Sequence, residues 1–167
     1  VLTCCAIPQS DVVLESRNVT DESAFPIKQM PVRVAQLTKL SHDVMQVRLQ
    51  LPATETFRYH AGQYVEFLLR DGSRRAYSMG NEPSTQLTSP GLELHIRHMP
   101  GGKFTDHVFS VMKEKEIQRV EGPFGSFFLR DDSAAPIVLL ASGTGFAPVK
   151  ALIEQMYISG NTRAATL

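Results

Sequence analysis

Apolar and polar positions follow two different rhythms along the chain. Met45, Val47, Leu49 and Leu51 are separated by Gln46, Arg48 and Gln50, a period of two that predicts a strand with one buried face. Val65, Phe67 and Leu69 alternate more loosely with Tyr64, Glu66 and Leu68. Asp71-Gly72 then marks a hairpin turn leading into residues 74–78. Leu92, Leu94 and Ile96 alternate with Glu93, His95 and Arg97, and residues 116–120 form a further short strand that closes at the Gly122-Pro123 turn. One helical stretch interrupts the strands, with Thr105 as its N-cap and Val108, Phe109 and Met112 on one face. Short strands at this spacing predict a small closed or Greek-key barrel.

After residue 135 the rhythm changes. Pro136 precedes Ile137-Val138-Leu139-Leu140-Ala141, a continuous apolar run expected of a strand covered on both faces. Gly143-Thr144-Gly145 turns the chain, and Val149, Leu152, Ile153 and Met156 mark one face of a helix. Pro148 sits in its first turn, where a missing N–H costs nothing, Gly160-Asn161 ends it, and residues 164–167 open another strand. Strand, helix and a second strand are the first unit of a doubly wound sheet. At the other end, residues 1–5 and 11–15 are two short apolar pieces around a Pro8 turn, and residues 16–30 have the composition of a linker. The organisation expected is a truncated domain end over 1–15, a linker over 16–30, a β-barrel domain over 31–130 and the start of an α/β domain over 131–167.

Composition narrows the function. The 167 residues carry 17 basic and 17 acidic side chains, so nothing suggests a nucleic-acid backbone or an anionic membrane as partner. No apolar run approaches the roughly 20 residues of a membrane span, and the first residues lack the pattern of a signal peptide. The two cysteines, Cys4 and Cys5, are adjacent, which excludes a disulfide framework. These features describe a cytoplasmic protein.

Three polar clusters carry candidate chemistry. Arg75-Ala76-Tyr77-Ser78 ends a strand, with Arg75 and Tyr77 on the same side of it. Gly101-Gly102-Lys103-Phe104-Thr105 opens into the first helix, and Gly143-Thr144-Gly145 opens into the second. Glycines let backbone N–H groups approach a ligand, and a helix start carries partial positive charge, so the second cluster suits a phosphate or pyrophosphate. Gly101-Gly102 alone is also the composition of an ordinary loop. Arg75 can fork onto a phosphate, Tyr77 offers a flat face for stacking, and Ser78 a hydroxyl at a ring edge. An anion site beside an aromatic platform describes a nucleotide with a planar head group. The third cluster has the strand–turn–helix setting of a dinucleotide site, and equally of a tight connecting turn.

With Gly122-Pro123-Phe124-Gly125 between the second and third clusters, residues 31–167 resemble the ferredoxin–NADP reductase-like flavoproteins. The resemblance implies a mainly β fold, an antiparallel six-stranded Greek-key FAD-binding barrel with one short helix, followed by the first βα unit of an NAD(P)H-binding domain. It implies that Arg75, Tyr77, Ser78, His95, Ile96, Arg97 and Gly101, Gly102, Lys103, Phe104 and Thr105 contact FAD, and that Gly143, Thr144 and Gly145 serve the nicotinamide side. Tyr77, Ser78 and Thr144 are the residues it places at the reacting rings. Leu2-Thr3-Cys4 looks like the end of a plant-type ferredoxin domain, whose 2Fe–2S cluster is held by four cysteines, and Cys4 would be the last ligand. Residues 1–6 and 95–105 are most similar to the bacterial CDP-6-deoxy-Δ3,4-glucoseen reductase type. The implied activity takes electrons from NADH or NADPH through FAD to the 2Fe–2S centre and on to an acceptor protein, a dehydrase or an oxygenase component.

A different class also fits a small β-barrel: a binding module without redox activity, its aromatic residues stacking on a single strand of nucleic acid. The balanced charge and the absence of a basic stripe argue against it. His95 and His98 stand three apart, so a strand would point them to opposite faces rather than at one metal ion.

Overall fold

The computed structural model describes residues 6–13, 25–84, 91–130 and 132–167. Six strands form one antiparallel sheet: β1 (Lys28–Lys39), β2 (Val44–Gln50), β3 (Tyr64–Leu68), β4 (Arg74–Ser78), β5 (Leu92–Arg97) and β6 (Ile117–Phe124). Their spatial order is β4-β3-β6-β1-β2-β5. A bridge between Met79 and Leu94, with Gly80 N–H donating to the Glu93 carbonyl at 2.7 Å, joins the continuation of β4 to β5 and closes the barrel. Alternation then sorts the side chains. Met30, Val32 and Val34 of β1, Val47 and Leu49 of β2, Val65 and Phe67 of β3, and Leu92, Leu94 and Ile96 of β5 share one core. Helix α1 (Lys103–Ser110) adds Phe104 and Val108 to it, and Met112 follows just past the helix. Each such side chain contributes about 1.5–3 kcal/mol by leaving water.

Strand β1 was hidden from the sequence reading, and it begins at Lys28, inside the segment expected to be linker. The alternation of Met30, Val32 and Val34 was its signal, masked by Pro31. Proline survives here because β1 pairs with β6 over residues 28–33 and with β2 over 33–39. Only one edge is in use at Pro31, so a missing N–H breaks no ladder on the other. Strand β6 likewise runs past the expected turn: Gly122 pairs with Lys28 and Phe124 with Tyr64 across a cis Gly122–Pro123 bond. A Cβ on Gly122 would lie 2.9 Å from Val65 Cγ1, so glycine is what lets β6 pass this close to β3.

Beyond the barrel, β7 (Ile137–Val138) pairs in parallel with β8 (Ala165–Thr166), and α2 (Phe146–Ile158) connects them. The apolar run was expected to be covered on both faces; it is covered on one. Leu139 is buried with Val149, Ala151 and Leu152 of α2, whereas Val138 and Leu140 are 82% and 92% exposed. Ala61, from the chain before β3, belongs to this second cluster and ties it to the barrel. Residues 6–13 are exposed and without regular structure, and Cys4 lies outside the described residues. No helix among the described residues is long and apolar enough to cross a membrane.

Candidate functional site

The register of β4 against β3 decides what each residue of the Arg-Ala-Tyr-Ser run can reach. Arg75 lies opposite Phe67 and Tyr77 opposite Val65, so both stand on the face that carries the core. Arg74 and Ser78 alternate to the other face. There Arg74 is bound by Glu66, at 3.1 Å, and by Glu121. Arg75 donates to the carbonyl of Arg74 at 2.7 Å, and among the described residues no carboxylate pairs with it. Two adjacent arginines therefore have opposite fates: one is neutralised by the fold and the other keeps its charge available. The Tyr77 ring packs against Phe104 and Phe67, with centroids 5.7 and 5.9 Å apart. Burial pushes its phenol up, while the positive charge of Arg75 pulls the other way.

The glycine loop meets this strand at both ends. Lys103 reaches the hairpin tip, its Nζ 2.9 Å from Asp71 Oδ2, and this bond, with those from Ser73, holds the Asp71 carboxyl well below the usual range. Phe104 sits against Tyr77. Arg75 lies in the strand between those two ties. The start of α1 has Gly102 as its N-cap, with no capping side chain, so none of its first N–H groups is claimed in that way. Thr105, expected to be the cap, is instead the third residue of the helix. Its hydroxyl bonds back to Met99, accepting from the N–H at 3.2 Å and donating to the carbonyl at 2.9 Å, which braces the loop. Gly101 has φ +81° and open space where a Cβ would stand, whereas a Cβ on Gly102 would meet Thr105 Oγ1 at 2.7 Å and the Met99 carbonyl at 2.8 Å. A cleft of about 620 Å³ opens on the other side of the helix start, bordered by Arg70, Asp71, Lys103, Phe104, Glu116 and Arg119, and neither Arg75 nor Tyr77 lines it. An uncapped helix start, a forked cation without an acidic partner and an aromatic ring fit a group that carries phosphate and a planar ring.

Other expected residues sort by face. Ile96 is fully buried in the core and Phe104 is 3% exposed, so each offers a ligand only its main chain. Arg97 turns outward to Asp43, Nε to Oδ2 at 3.0 Å. His98 bonds Asp106 at 2.8 Å and stacks on Phe109, while His95 bonds Glu93 at 2.9 Å. Among the described residues no three potential ligands gather as a metal site.

Ser78 immediately precedes the bridging Met79, and His95 immediately follows the bridging Leu94, so both belong to the outer side of the closure. Gly143–Gly145 forms a 3-10 turn that packs against β5 on this side, with Thr144 half-buried within it. Glu93, Lys150 and Glu154 complete the junction and were missed by the sequence reading. Glu93 occupies an outward position on an alternating strand, which predicts solvent, yet it is 5% exposed because α2 covers it.

A closed antiparallel barrel with an uncapped helix start, leading into a glycine turn and a βα unit, is the architecture of a nucleotide-cofactor domain. The chain belongs to the oxidoreductase FAD-binding domain family, matched over residues 31–129. It is 36% identical over 163 residues to the CDP-6-deoxy-L-threo-D-glycero-4-hexulose-3-dehydrase reductase of Yersinia pestis, covering 98% of this chain and 48% of that protein. It is 34% identical over 171 residues to the phenol 2-monooxygenase reductase component of Pseudomonas sp. strain CF600, covering 100% and 47%. The crystal structure of the Amycolatopsis reductase GcoB superposes with a TM-score of 0.76 at 31% identity, over 85% of this chain and 43% of that one. The chain spans about half the length of the curated relatives it matches.

Proposed function

We propose that this chain is the flavin-binding part of an NAD(P)H-dependent reductase. Such a reductase carries electrons from NADH or NADPH through FAD to a 2Fe–2S centre and on to a partner protein, a deoxysugar dehydrase or an oxygenase component. The observation that carries the reading is the pairing of Arg75, left without a carboxylate, with the uncapped start of α1 and the Tyr77 ring. FAD, when bound, supplies the redox chemistry, accepting an electron pair and releasing electrons singly.

The side chains bind and orient. Arg75 and the N–H groups at Lys103, Phe104 and Thr105 neutralise the pyrophosphate, with Gly101 giving the loop its turn and Gly102, its own N–H bonded to the Met99 carbonyl at 2.8 Å, letting the backbone come close. Tyr77, held from behind by Phe67 and Phe104, keeps the ring plane. Ser78 offers a hydroxyl to the ring edge from the outer face, where His95 and the Gly143–Gly145 turn adjoin. Thr144 stands on the nicotinamide side, and Ile96 and Arg97 contribute main chain to the flavin nucleotide. No side chain here needs to act as general acid or base. Cys4 would be the last ligand of the iron–sulfur cluster, and its likeness to the end of a ferredoxin domain supports that role. The dehydrase and oxygenase systems named for the relatives support the two classes of acceptor.

The test is spectroscopic. The full-length protein should purify yellow with one FAD per chain, and anaerobic NADH or NADPH should bleach it. Iron and sulfide should be present, and should be lost with the flavin retained when Cys4→Ser is made. A colourless protein that takes up no FAD would refute the reading.

A further inference from the structure

The junction between barrel and α2 holds a charged cluster, with Glu93 buried and Lys150 and Glu154 half-buried, and the proposed flavin site uses none of these three side chains. Its centre is Lys150. The ammonium donates a hydrogen bond to the Gly80 carbonyl at 2.8 Å and forms ion pairs with Glu93 Oε1 at 3.2 Å and Glu154 Oε1 at 2.7 Å. Two of these acceptors belong to the barrel and one to the next turn of α2 itself. Glu93 Oε1 also accepts from His95 Nε2 at 2.9 Å. Glu154 sends its other oxygen back across the junction to the N–H of Glu82 at 3.2 Å. Gly80 lets the surfaces meet: a Cβ there would lie 3.3 Å from the Cβ of Ala147.

We infer that Lys150 is a positioning residue, latching α2 to β5 and to the chain after β4 so that Gly143–Gly145 is held against the face bearing Ser78 and His95. This rests on the function proposed above. Adhesion alone does not account for the cluster. A buried ion pair is a poor source of stability compared with well-packed apolar side chains of similar volume. What an ammonium with three fixed acceptors supplies is direction. Lys150 is the fifth residue of α2, and the helix begins immediately after the glycine turn, so play at the ammonium becomes displacement of that turn. The environment of Glu93 agrees. Burial opposes its ionisation, but the His95 hydrogen bond, the Lys150 charge and a Gln46 hydrogen bond hold its pKa at about 2, so the acceptor is charged at neutral pH.

The experiment uses the full-length protein and separates flavin binding from nicotinamide positioning. Lys150→Met keeps the stem and removes the charge; Lys150→Arg restores a cation. Each is measured for FAD content, for anaerobic bleaching by dithionite, and for bleaching by saturating NADH in stopped flow. Lys150→Met should keep its FAD and its dithionite rate, and should lose roughly ten- to a hundred-fold in the NADH rate, the scale of a small misplacement of reacting groups. Lys150→Arg should recover part of that loss. Adding Glu93→Gln to Lys150→Met should slow it no further. An unchanged NADH rate in Lys150→Met overturns the latch. Should Lys150→Met fail to fold, Glu93→Gln decides by the same comparison of the two rates. A wild-type protein with no flavin would instead overturn the underlying function.

Discussion

Replacing Arg75 by alanine tests the site most directly, because its neighbour supplies the control. The Arg75 side chain makes one hydrogen bond among the described residues, to the carbonyl of Arg74, and pairs with no carboxylate there. Its loss should therefore leave the flavin-free protein within about 0.5 kcal/mol of wild type, a shift of roughly 1–2 °C in Tm for a chain of this size. A forked, charge-assisted bond to pyrophosphate is worth about 1.5–3 kcal/mol. The FAD dissociation constant should accordingly rise roughly ten- to a hundred-fold. Arg75→Lys should fall between, since an ammonium keeps the charge and loses the fork. Arg74→Ala should do the reverse, disturbing an ion cluster with Glu66 and Glu121 on the opposite face and leaving FAD affinity unchanged. Titrating flavin-free protein with FAD and following quenching of flavin fluorescence gives all four constants. A shift below threefold for Arg75→Ala, or an equal effect from Arg74→Ala, would refute the assignment of the two faces.

Three further outcomes follow from the geometry. Phe104→Ala empties a position 3% exposed between Phe67 and Tyr77, and should cost about 3–5 kcal/mol in urea unfolding; a cost under about 1 kcal/mol would contradict the packing. Gly102→Ala drives a Cβ to 2.7 Å from Thr105 Oγ1, and should cost about 1 kcal/mol or more and weaken FAD, whereas unchanged melting and titration curves would show the loop to be slack. Glu93 titrates at about 2 when folded against 4.5 ordinarily, so its contribution is complete above pH 4.5 and is lost as pH falls towards 2. That contribution is roughly 3 kcal/mol. The stability gap between wild type and Glu93→Gln should close over that range in acid unfolding, and a gap constant with pH would show the carboxyl to be unperturbed.

Much of the fold was legible because alternation is a local property of extended backbone. It placed β2, β3, β5 and the Asp71-Gly72 hairpin, and put Arg75 and Tyr77 on one face of a strand. Turn chemistry did the same for the two glycine loops. Local rules misled where one residue type carries two meanings. Pro31 reads as punctuation but sits where β1 pairs along one edge, and Thr105 has the chemistry of a cap but braces the loop from inside the helix.

Tertiary structure alone decided which charges are spent. Arg74 and Arg75 are indistinguishable as letters; the register against Leu68 and Phe67 sends one to two glutamates and leaves the other without a carboxylate partner among the described residues. Glu93 and Lys150 lie far apart in the chain, and nothing in either neighbourhood announces the other. Closure of the barrel and the packing of α2 bring them to 3.2 Å. Periodicity is written residue by residue, but partnership depends on where the folded chain returns to itself.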